Sequence, residues 1–307
     1  MLRSALAVLT LLATQPTWAR LSPTFERTLK ATVRQYNQQV RSGQRPMDLG
    51  LVFRLVGRTL ERTGGDQRAA RRMAGRAARW TTARPGPRVT TTLSPAVTRA
   101  LGLACRLHRD QVRKGSKVPY VAHLLGVAGI VMRSGGSERE IIAALLHDAV
   151  EDQGGARTLR RIRRGFGPQV ARIVDEVSEP PGTWLQRKQD KIARIAEGRM
   201  SASALRVKLA DSLHNSGTMT RGARREGDAF WHVFTGKKAG SLWYYESMVG
   251  AFNRATSGSP DLRSMARRLE GQVVRLHRAA GQGWSSKAPM SPSEAPPLTA
   301  TGRGQPR

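Results

Sequence analysis

The segment ALLHDAVED (144–152) places four ionisable side chains, those of His147, Asp148, Glu151 and Asp152, directly after an apolar run. Burying such groups costs several kcal/mol each unless they are paired or bind a metal ion. Residues three and four apart share one face of a helix, which puts Glu151 on the face of His147. The pattern suits a divalent cation with a water molecule beside it. The plainer alternative is a helix end that happens to be acidic.

Two further segments interrupt apolar helices with residues that can bind metal. His123 lies in VPYVAHLLGVAGI, and Asp211 lies in LRVKLADSLHN. Taken singly, His123 suits a hydrogen-bonded core histidine, and Asp211 could pair with Lys208 one turn earlier. Together with the first segment they supply two imidazoles and two carboxylates from three helices. Such a nitrogen and oxygen set suits manganese or a similar divalent ion, and a chain with one cysteine cannot build a sulfur-rich zinc site.

The composition indicates one globular domain with extensions. The chain has 307 residues, of which 39% are hydrophobic and 5% aromatic, and its formal net charge is +30. A charge of this size attracts polyanions such as nucleotides, nucleic acids or acidic lipid, although heavy arginine use can also reflect the base composition of the genome. Cys105 lies in an apolar stretch and is expected to be a small buried side chain, and no internal disulfide can form.

The hydrophobic periodicity predicts an all-α fold, and no alternating strand pattern competes with it. A capping box at Ser137 and Glu140, a proline at 168 in a first helical position and a serine at 201 mark helix starts. After one or two helices in 21–63, the predicted helices are 96–112, 120–132, 137–152, 158–166, 168–178, 184–197, 201–216 and 228–255.

The two ends of the chain differ from this core. Residues 1–19 have the form of a secretory signal, for which a hydrophobic first helix or a start codon placed too early are the alternatives. Residues 20–93 are predicted to be a basic helical extension and linker, and 94–255 the globular domain. Residues 256–307 are predicted to form a short helix followed by a disordered tail rich in Pro, Ser and Gly.

Three segments together resemble a known family. RKGSKVPYVAH (113–123), ALLHDAVED (144–152) and VKLADSLHN (207–215) are similar to the HD-superfamily hydrolase domain of RelA/SpoT-type proteins, including small stand-alone hydrolases. The resemblance covers about 96–250. It implies an α-helical HD-domain bundle that removes the 3′-pyrophosphate of (p)ppGpp with the help of manganese.

The resemblance also implies roles for individual residues. Glu151 and Asp152 would position and activate the attacking water, Asn215 would contact the nucleotide, and Arg113 would lie against the guanine base. The implied metal ligands are His123, His147, Asp148 and Asp211.

The basic loop before His123 suits a strongly anionic substrate. Arg113, Lys114 and Lys117 supply donors, and arginine can also stack on a base. Gly115 lets the loop bend, although the same loop could be only an exposed turn.

Three departures from the family pattern concern residues that are not metal ligands. Leu124 stands where the family often has proline, and Ser212 where it often has arginine. The loop between Arg113 and His123 is one residue longer than usual, which weakens the base contact. Nothing in the chain resembles a synthetase domain, so hydrolysis without synthesis is the expectation.

Two classes of function remain open from the sequence. The first is a metal-dependent (p)ppGpp 3′-pyrophosphohydrolase, with another nucleotide, such as a nicotinamide dinucleotide phosphate or a deoxynucleotide, as the alternative substrate. The second is a basic nucleic-acid-binding protein that retains an HD fold. A guanine nucleotide substrate predicts a cytoplasmic location, whereas the signal-like start leaves a periplasmic or secreted one open. No transmembrane span is expected.

Overall fold

The structure is a computed structural model, and it describes residues 23–43, 46–63 and 92–284. This part of the chain is helical, and its β-structure is one isolated antiparallel bridge between Val112 and Pro119. The predicted all-α fold is therefore confirmed. No helix within the described ranges is long and apolar enough to cross a membrane.

Two helices precede the region that resembles a known family. Helix α1 spans Pro23–Arg41 and α2 spans Leu49–Thr63. They begin the first of two compact units, which among the described residues comprises 23–178 and 200–215. Its other helices are α3 (Pro95–Leu107), α4 (Val121–Arg133), α5 (Glu138–Leu146), α6 (Ala149–Asp152), α7 (Gly155–Phe166) and α8 (Pro168–Val177).

The second unit comprises residues 179–199 and 216–284 of the described chain. Helix α10 spans Ala202–Glu226, so its residues up to Asn215 belong to the first unit and the rest to the second. The other elements of the second unit are α9 (Trp184–Ala196), a 3₁₀-helix (Gly227–Val233), α11 (Lys237–Ala255) and α12 (Pro260–Ala279).

Helix α4 is the centre of the first unit, since every residue from Val121 to Met132 is buried. Glycines bring α2 directly against it. A Cβ atom on Gly57 would lie 2.5 Å from the Ala122 carbonyl oxygen, and one on Gly129 would lie 2.5 Å from that of Gly50. Because real Cβ atoms do not approach this closely, the two backbones pack only with glycine at these positions.

The predicted helix starts are confirmed. Ser137 and Glu140 form the capping box, in which the Ser137 backbone N–H donates to Glu140 Oε2 at 2.6 Å. Pro168 occupies the first turn of α8. Ser201 Oγ accepts from the backbone N–H of Ala204 at 3.3 Å, which caps α10.

Some predicted bounds were wrong, for local reasons. The single helix expected over 137–152 ends at Leu146 and restarts at Ala149, because Asp148 has a ψ of −3°. The helix expected to end at 216 continues to Glu226. The helix expected to start at 228 starts at Lys237, because residues 227–233 form the 3₁₀-helix. Lys237, its first residue, has a positive φ of 49°.

The predictions for the chain ends fall largely outside the described residues. The signal-like segment 1–19, most of the basic stretch 64–92 and the tail after 284 are in this position, and the domain bounds inferred from the sequence stay predictions. Cys105 is 3% exposed, as expected.

Candidate metal centre

The break between α5 and α6 lets the side chains of the adjacent residues His147 and Asp148 lie beside each other. His147 is the C-cap residue that follows α5, and Asp148 is the N-cap residue that precedes α6. The His147 Nδ1 atom lies 2.9 Å from the carbonyl oxygen of Ala144. Because a carbonyl can only accept, Nδ1 is the donor in this contact and Nε2 faces the cluster. A backbone partner of this kind orients a histidine for metal binding.

His123 and Asp211 reach the same point from α4 and α10. His123 is 1% exposed and Asp211 is 5% exposed, so both polar groups are buried in the first unit. The His123 Nε2 atom lies 3.3 Å from His147 Nε2, 3.4 Å from Asp148 Oδ2 and 3.3 Å from Asp211 Oδ1. The structure therefore brings together all four residues that the sequence pointed to.

The remaining distances in this cluster are equally short. His147 Nε2 lies 3.0 Å from Asp148 Oδ2 and 3.8 Å from Asp211 Oδ1. The ligand atoms of His123, His147 and Asp148 all lie within 4.8 Å of one another. Two imidazole nitrogens and two carboxylate oxygens from three separate helical segments thus converge on one point.

The charges of the cluster favour a cation. Burial opposes the charged form of His147, but the carboxylates of Asp148 and Asp211 outweigh it and raise the pKa of His147 to about 10. Burial also opposes ionisation of Asp148, yet the neighbouring His147 holds its pKa well below the usual range. The pKa of Asp211 is likewise depressed despite burial, chiefly by Lys208.

These residues fit a divalent metal ion. Buried carboxylates with depressed pKa values create a negative potential, and the same potential raises the pKa of the buried His147 imidazole. A buried site with two nitrogen and two oxygen donors is the kind of set that binds Mn²⁺, Fe²⁺ or Zn²⁺. The cluster is therefore able to hold a divalent cation.

Polar neighbours fix the orientation of the two carboxylates. The Tyr120 hydroxyl donates to Asp148 Oδ2 at 2.7 Å. Lys208 Nζ donates to Asp211 Oδ2 at 2.7 Å, which is the pairing that the sequence suggested for Asp211 on its own. Asn215 Nδ2 donates to Asp211 Oδ1 at 2.6 Å. The lysine contact and a position in the cluster are thus compatible, because Asp211 uses different oxygens for them.

Glu151 and Asp152 lie on the short helix α6, beyond the cluster. Asp152 is exposed and accepts from Gln111 Nε2 at 2.8 Å, while Glu151 is partly buried. The Asp152 carboxylate is close enough to influence the pKa values of His108 and Tyr120, so it lies near the rim of the site. Their role in activating water stays a prediction.

The basic loop is closed by its own backbone. The N–H of Arg113 donates to the Val118 carbonyl oxygen at 2.8 Å, and Gly115 has a φ of +68° at the turn. The Arg113 guanidinium lies 5.5 Å from the centre of the Tyr120 ring, and its Nη2 donates to Asn215 Oδ1 at 2.5 Å. Lys114 is exposed beside it. Three side chains assigned to the nucleotide thus border the same loop.

Sequence reasoning missed three residues that contact the ligands of the cluster directly or through one neighbour. Tyr120 precedes His123 by one helical turn, a spacing that could have indicated it. His214 stands next to Asn215 in a recognised motif, and its ring contacts that of His123. Glu61 lies far away in the chain, and no local signal indicates its contact with His214.

Comparison with known proteins shows which class of domain this chain resembles. Residues 100–239 match the family model described as HD domain. The chain is 38% identical over 119 residues to the guanosine-3′,5′-bis(diphosphate) 3′-pyrophosphohydrolase of Xenopus tropicalis, covering 38% of this chain and 65% of that protein. It is 35% identical over 137 residues to a GTP pyrophosphokinase of Streptomyces coelicolor, covering 43% of this chain and 16% of that protein.

A solved structure of a metazoan ortholog of SpoT, described as hydrolyzing ppGpp, shares 25% identity with this chain. It aligns with a TM-score of 0.49, over 59% of this chain and 97% of its own. The chain spans less than two thirds of the curated relatives named above.

Residues 100–239 are therefore similar to an HD domain, and the all-α fold and the cluster of His123, His147 and Asp148 fit that class. Within that class, the chain is a relative of RelA/SpoT-type proteins, and the resemblance seen in its sequence motifs is confirmed.

Proposed function

We propose that the protein is a metal-dependent phosphohydrolase that removes the 3′-pyrophosphate of (p)ppGpp. The observation that carries this proposal is the convergence of His123, His147, Asp148 and Asp211, whose ligand atoms lie 3.0–3.8 Å apart in the five pairs measured. The names of two relatives, 38% and 32% identical to this chain over 119 residues each, support the substrate.

In this proposal His123, His147, Asp148 and Asp211 would hold the ion, and Mn²⁺ is the ion that the resemblance to RelA/SpoT-type proteins implies. A bound divalent ion lowers the pKa of water and offsets phosphate charge. Glu151 and Asp152 accept a proton from the attacking water.

The nucleotide is held by the loop that borders the cluster. The Arg113 guanidinium and the Lys114 ammonium bind the anionic substrate, and Asn215 hydrogen-bonds to it. Water attacks the phosphorus that carries the 3′-oxygen, the bond between that oxygen and phosphorus breaks, and GDP and pyrophosphate leave when ppGpp is the substrate. The exposed position of Asp152 and Lys114 supports this arrangement, because an incoming nucleotide can reach both side chains.

The test is pyrophosphate release from ppGpp by the full chain, with Mn²⁺ present and after removal by a chelator. We expect release with the ion, none without it, and recovery when Mn²⁺ is returned. A nicotinamide dinucleotide phosphate and a deoxynucleoside triphosphate are assayed in parallel. Hydrolysis of one of these with ppGpp untouched would correct the substrate, whereas no hydrolysis in any assay would contradict the proposed reaction.

A second candidate function, polyanion binding, is favoured by one helix. The five arginine side chains of α7 are exposed, and these are Arg157, Arg160, Arg161, Arg163 and Arg164. Binding through such a face falls steeply with salt because counterions are released. We expect weak, salt-sensitive DNA binding that a variant with these arginines changed to glutamine loses while it keeps its hydrolase activity. Binding that is insensitive to salt, or unchanged in that variant, would contradict it.

A further inference from the structure

A chain of three side chains leads from the cluster to helix α2, which lies outside the residues matched by the HD-domain family model. The His123 Nδ1 atom lies 3.0 Å from His214 Nδ1. On the other side of the same ring, His214 Nε2 lies 3.4 Å from Glu61 Oε1. The side chains of His214 and Glu61 are 9% and 8% exposed, so this connection is buried.

Tight helix packing holds the three groups in place. A Cβ atom on Gly126 would lie 2.1 Å from His214 Nε2, so the imidazole rests directly on the backbone of α4. One turn of α4 earlier, Gly57 of α2 packs on Ala122 with a Cβ distance of 2.5 Å to its carbonyl oxygen. Glu61 follows Gly57 by one helical turn, which carries its carboxylate to the edge of the His214 ring.

The arrangement constrains where the protons of the two imidazoles can lie. His123 must direct a lone pair from Nε2 to bind a metal ion, so its proton has to be on Nδ1. That N–H then donates to His214 Nδ1, which must accept. His214 therefore carries its proton on Nε2, facing a carboxylate that can only accept. With the two protons on the other ring nitrogens, the unprotonated Nε2 of His214 would face the Glu61 carboxylate. His123 would then carry its proton on Nε2 and could not bind the ion through that atom.

We propose that Glu61 is a positioning residue of the metal centre: through His214 it selects the form of His123 whose Nε2 can bind the ion. This inference rests on the proposed metal site and deepens it. It makes the helix that precedes the matched HD segment part of the functional site. A carboxylate behind a metal-binding histidine is a common arrangement, and removing such partners costs 10–100-fold in metal affinity or activity.

The test is Mn²⁺ affinity of the purified full chain, measured by calorimetry. Glu61→Leu is expected to bind Mn²⁺ about 10–100-fold more weakly. Glu61→Gln retains an acceptor oxygen at the same place and is expected to keep most of the affinity. The control is Asp48→Ala, at the start of the same helix, which removes the Oδ1 atom that accepts from the backbone N–H of Leu51 at 2.8 Å. It is expected to lower the melting temperature without changing affinity.

A double-mutant cycle shows whether Glu61 acts through His214. His214→Phe removes both ring nitrogens, and in that background Glu61→Leu is expected to cause no further loss of affinity. The nitrogen NMR spectrum of the metal-free protein gives a readout independent of catalysis. We expect the Nδ1-protonated form of His123 to predominate in the wild type and to decline in Glu61→Leu.

Unchanged Mn²⁺ affinity in Glu61→Leu would overturn the inference. So would an additive loss in the double variant, or a weaker affinity with the protonation of His123 unchanged, because either shows a structural role only. The proposed metal site fails on a different result, namely full Mn²⁺ binding by Asp148→Asn.

Discussion

The Arg113 guanidinium donates from Nη2 to Asn215 Oδ1 across 2.5 Å, although 102 positions separate the two residues. The same Asn215 side chain donates from Nδ2 to Asp211 Oδ1 at 2.6 Å. One amide therefore connects the basic loop to a residue of the metal cluster. A nucleotide that displaces Arg113 from Asn215 would meet both groups already oriented.

Arg113→Ala is expected to weaken the use of ppGpp without removing metal binding. Hydrogen bonds to charged groups contribute about 1.5–3 kcal/mol, so kcat/KM should fall by about 10–100-fold, mainly through KM. Steady-state kinetics with ppGpp measure this. The matched control is Arg109→Ala, which removes an exposed arginine four residues before Arg113 in the chain. This variant should leave kcat and KM unchanged. A fall in kcat with KM unchanged would contradict the assigned role.

Tyr120→Phe removes the hydroxyl that donates to Asp148 Oδ2 and keeps the ring. Partners of metal-binding carboxylates orient them, so Mn²⁺ affinity is expected to fall by about tenfold or more. Calorimetric titration measures the change. The ring also contacts Arg113 and stacks on His108, and those contacts remain in the variant. Equal affinity in the wild type and in Tyr120→Phe would show that the hydroxyl does not position Asp148.

Gly126→Ala tests the contact between His214 and helix α4. The added methyl group would lie 2.1 Å from His214 Nε2, so either the ring or the helix must move. Forcing extra volume into a packed core costs about 1–3 kcal/mol of unfolding free energy. Denaturant unfolding measures it. In Gly271→Ala on α12 the nearest atom to the new methyl group is 3.7 Å away, and that variant should gain up to about 1 kcal/mol from helix propensity. Equal stability of both variants would refute the contact.

Cys105 predicts how stability depends on alkaline pH. Burial, helped by Glu26, raises the pKa of this thiol from 9.0 to about 12. A group whose pKa is raised on folding contributes stability that is complete below its unfolded value, here about 9, and is lost as the pH rises through its folded value. The wild type should therefore lose up to about 1.4 kcal/mol per pH unit relative to Cys105→Ala above pH 9.

Denaturant unfolding of both proteins between pH 8 and 11 measures this difference. A thiol reagent at neutral pH supplies a second readout, because the buried thiol should react only as the chain unfolds. Parallel pH curves for the two proteins, or rapid thiol labelling of the folded protein, would contradict the burial of Cys105.

The cluster could be predicted from the sequence because its metal-binding residue types lie at positions where helical periodicity predicts a buried apolar face. His123 and Asp211 interrupt apolar helix faces, where a polar group needs a partner, and the motif order supplied the rest. The capping box at Ser137 could also be predicted, since Ser followed three residues later by Glu is a common signature of a helix N-terminus.

Other features depend on contacts that no local pattern shows. The break at Asp148 follows from a single backbone angle and not from a Gly or Pro signal. Glu61 reads as one more polar residue on an amphipathic helix, and only the packing of α2 on α4 brings it to His214. The glycines at 57 and 126 permit that packing. In the sequence alone they indicate only a locally low helix propensity.

Direct titration of the metal-free full chain with Mn²⁺, followed by electron paramagnetic resonance of the free ion, tests the central claim. We expect one tightly bound Mn²⁺ per chain in the wild type. The control variant is Asp175→Asn, which changes an exposed carboxylate on α8. Asp148→Asn should bind no Mn²⁺ over the range of Mn²⁺ concentrations that saturates this control. A wild-type chain that binds no Mn²⁺, or an Asp148→Asn chain that binds it as tightly as the wild type, would contradict the metal centre formed by His123, His147, Asp148 and Asp211.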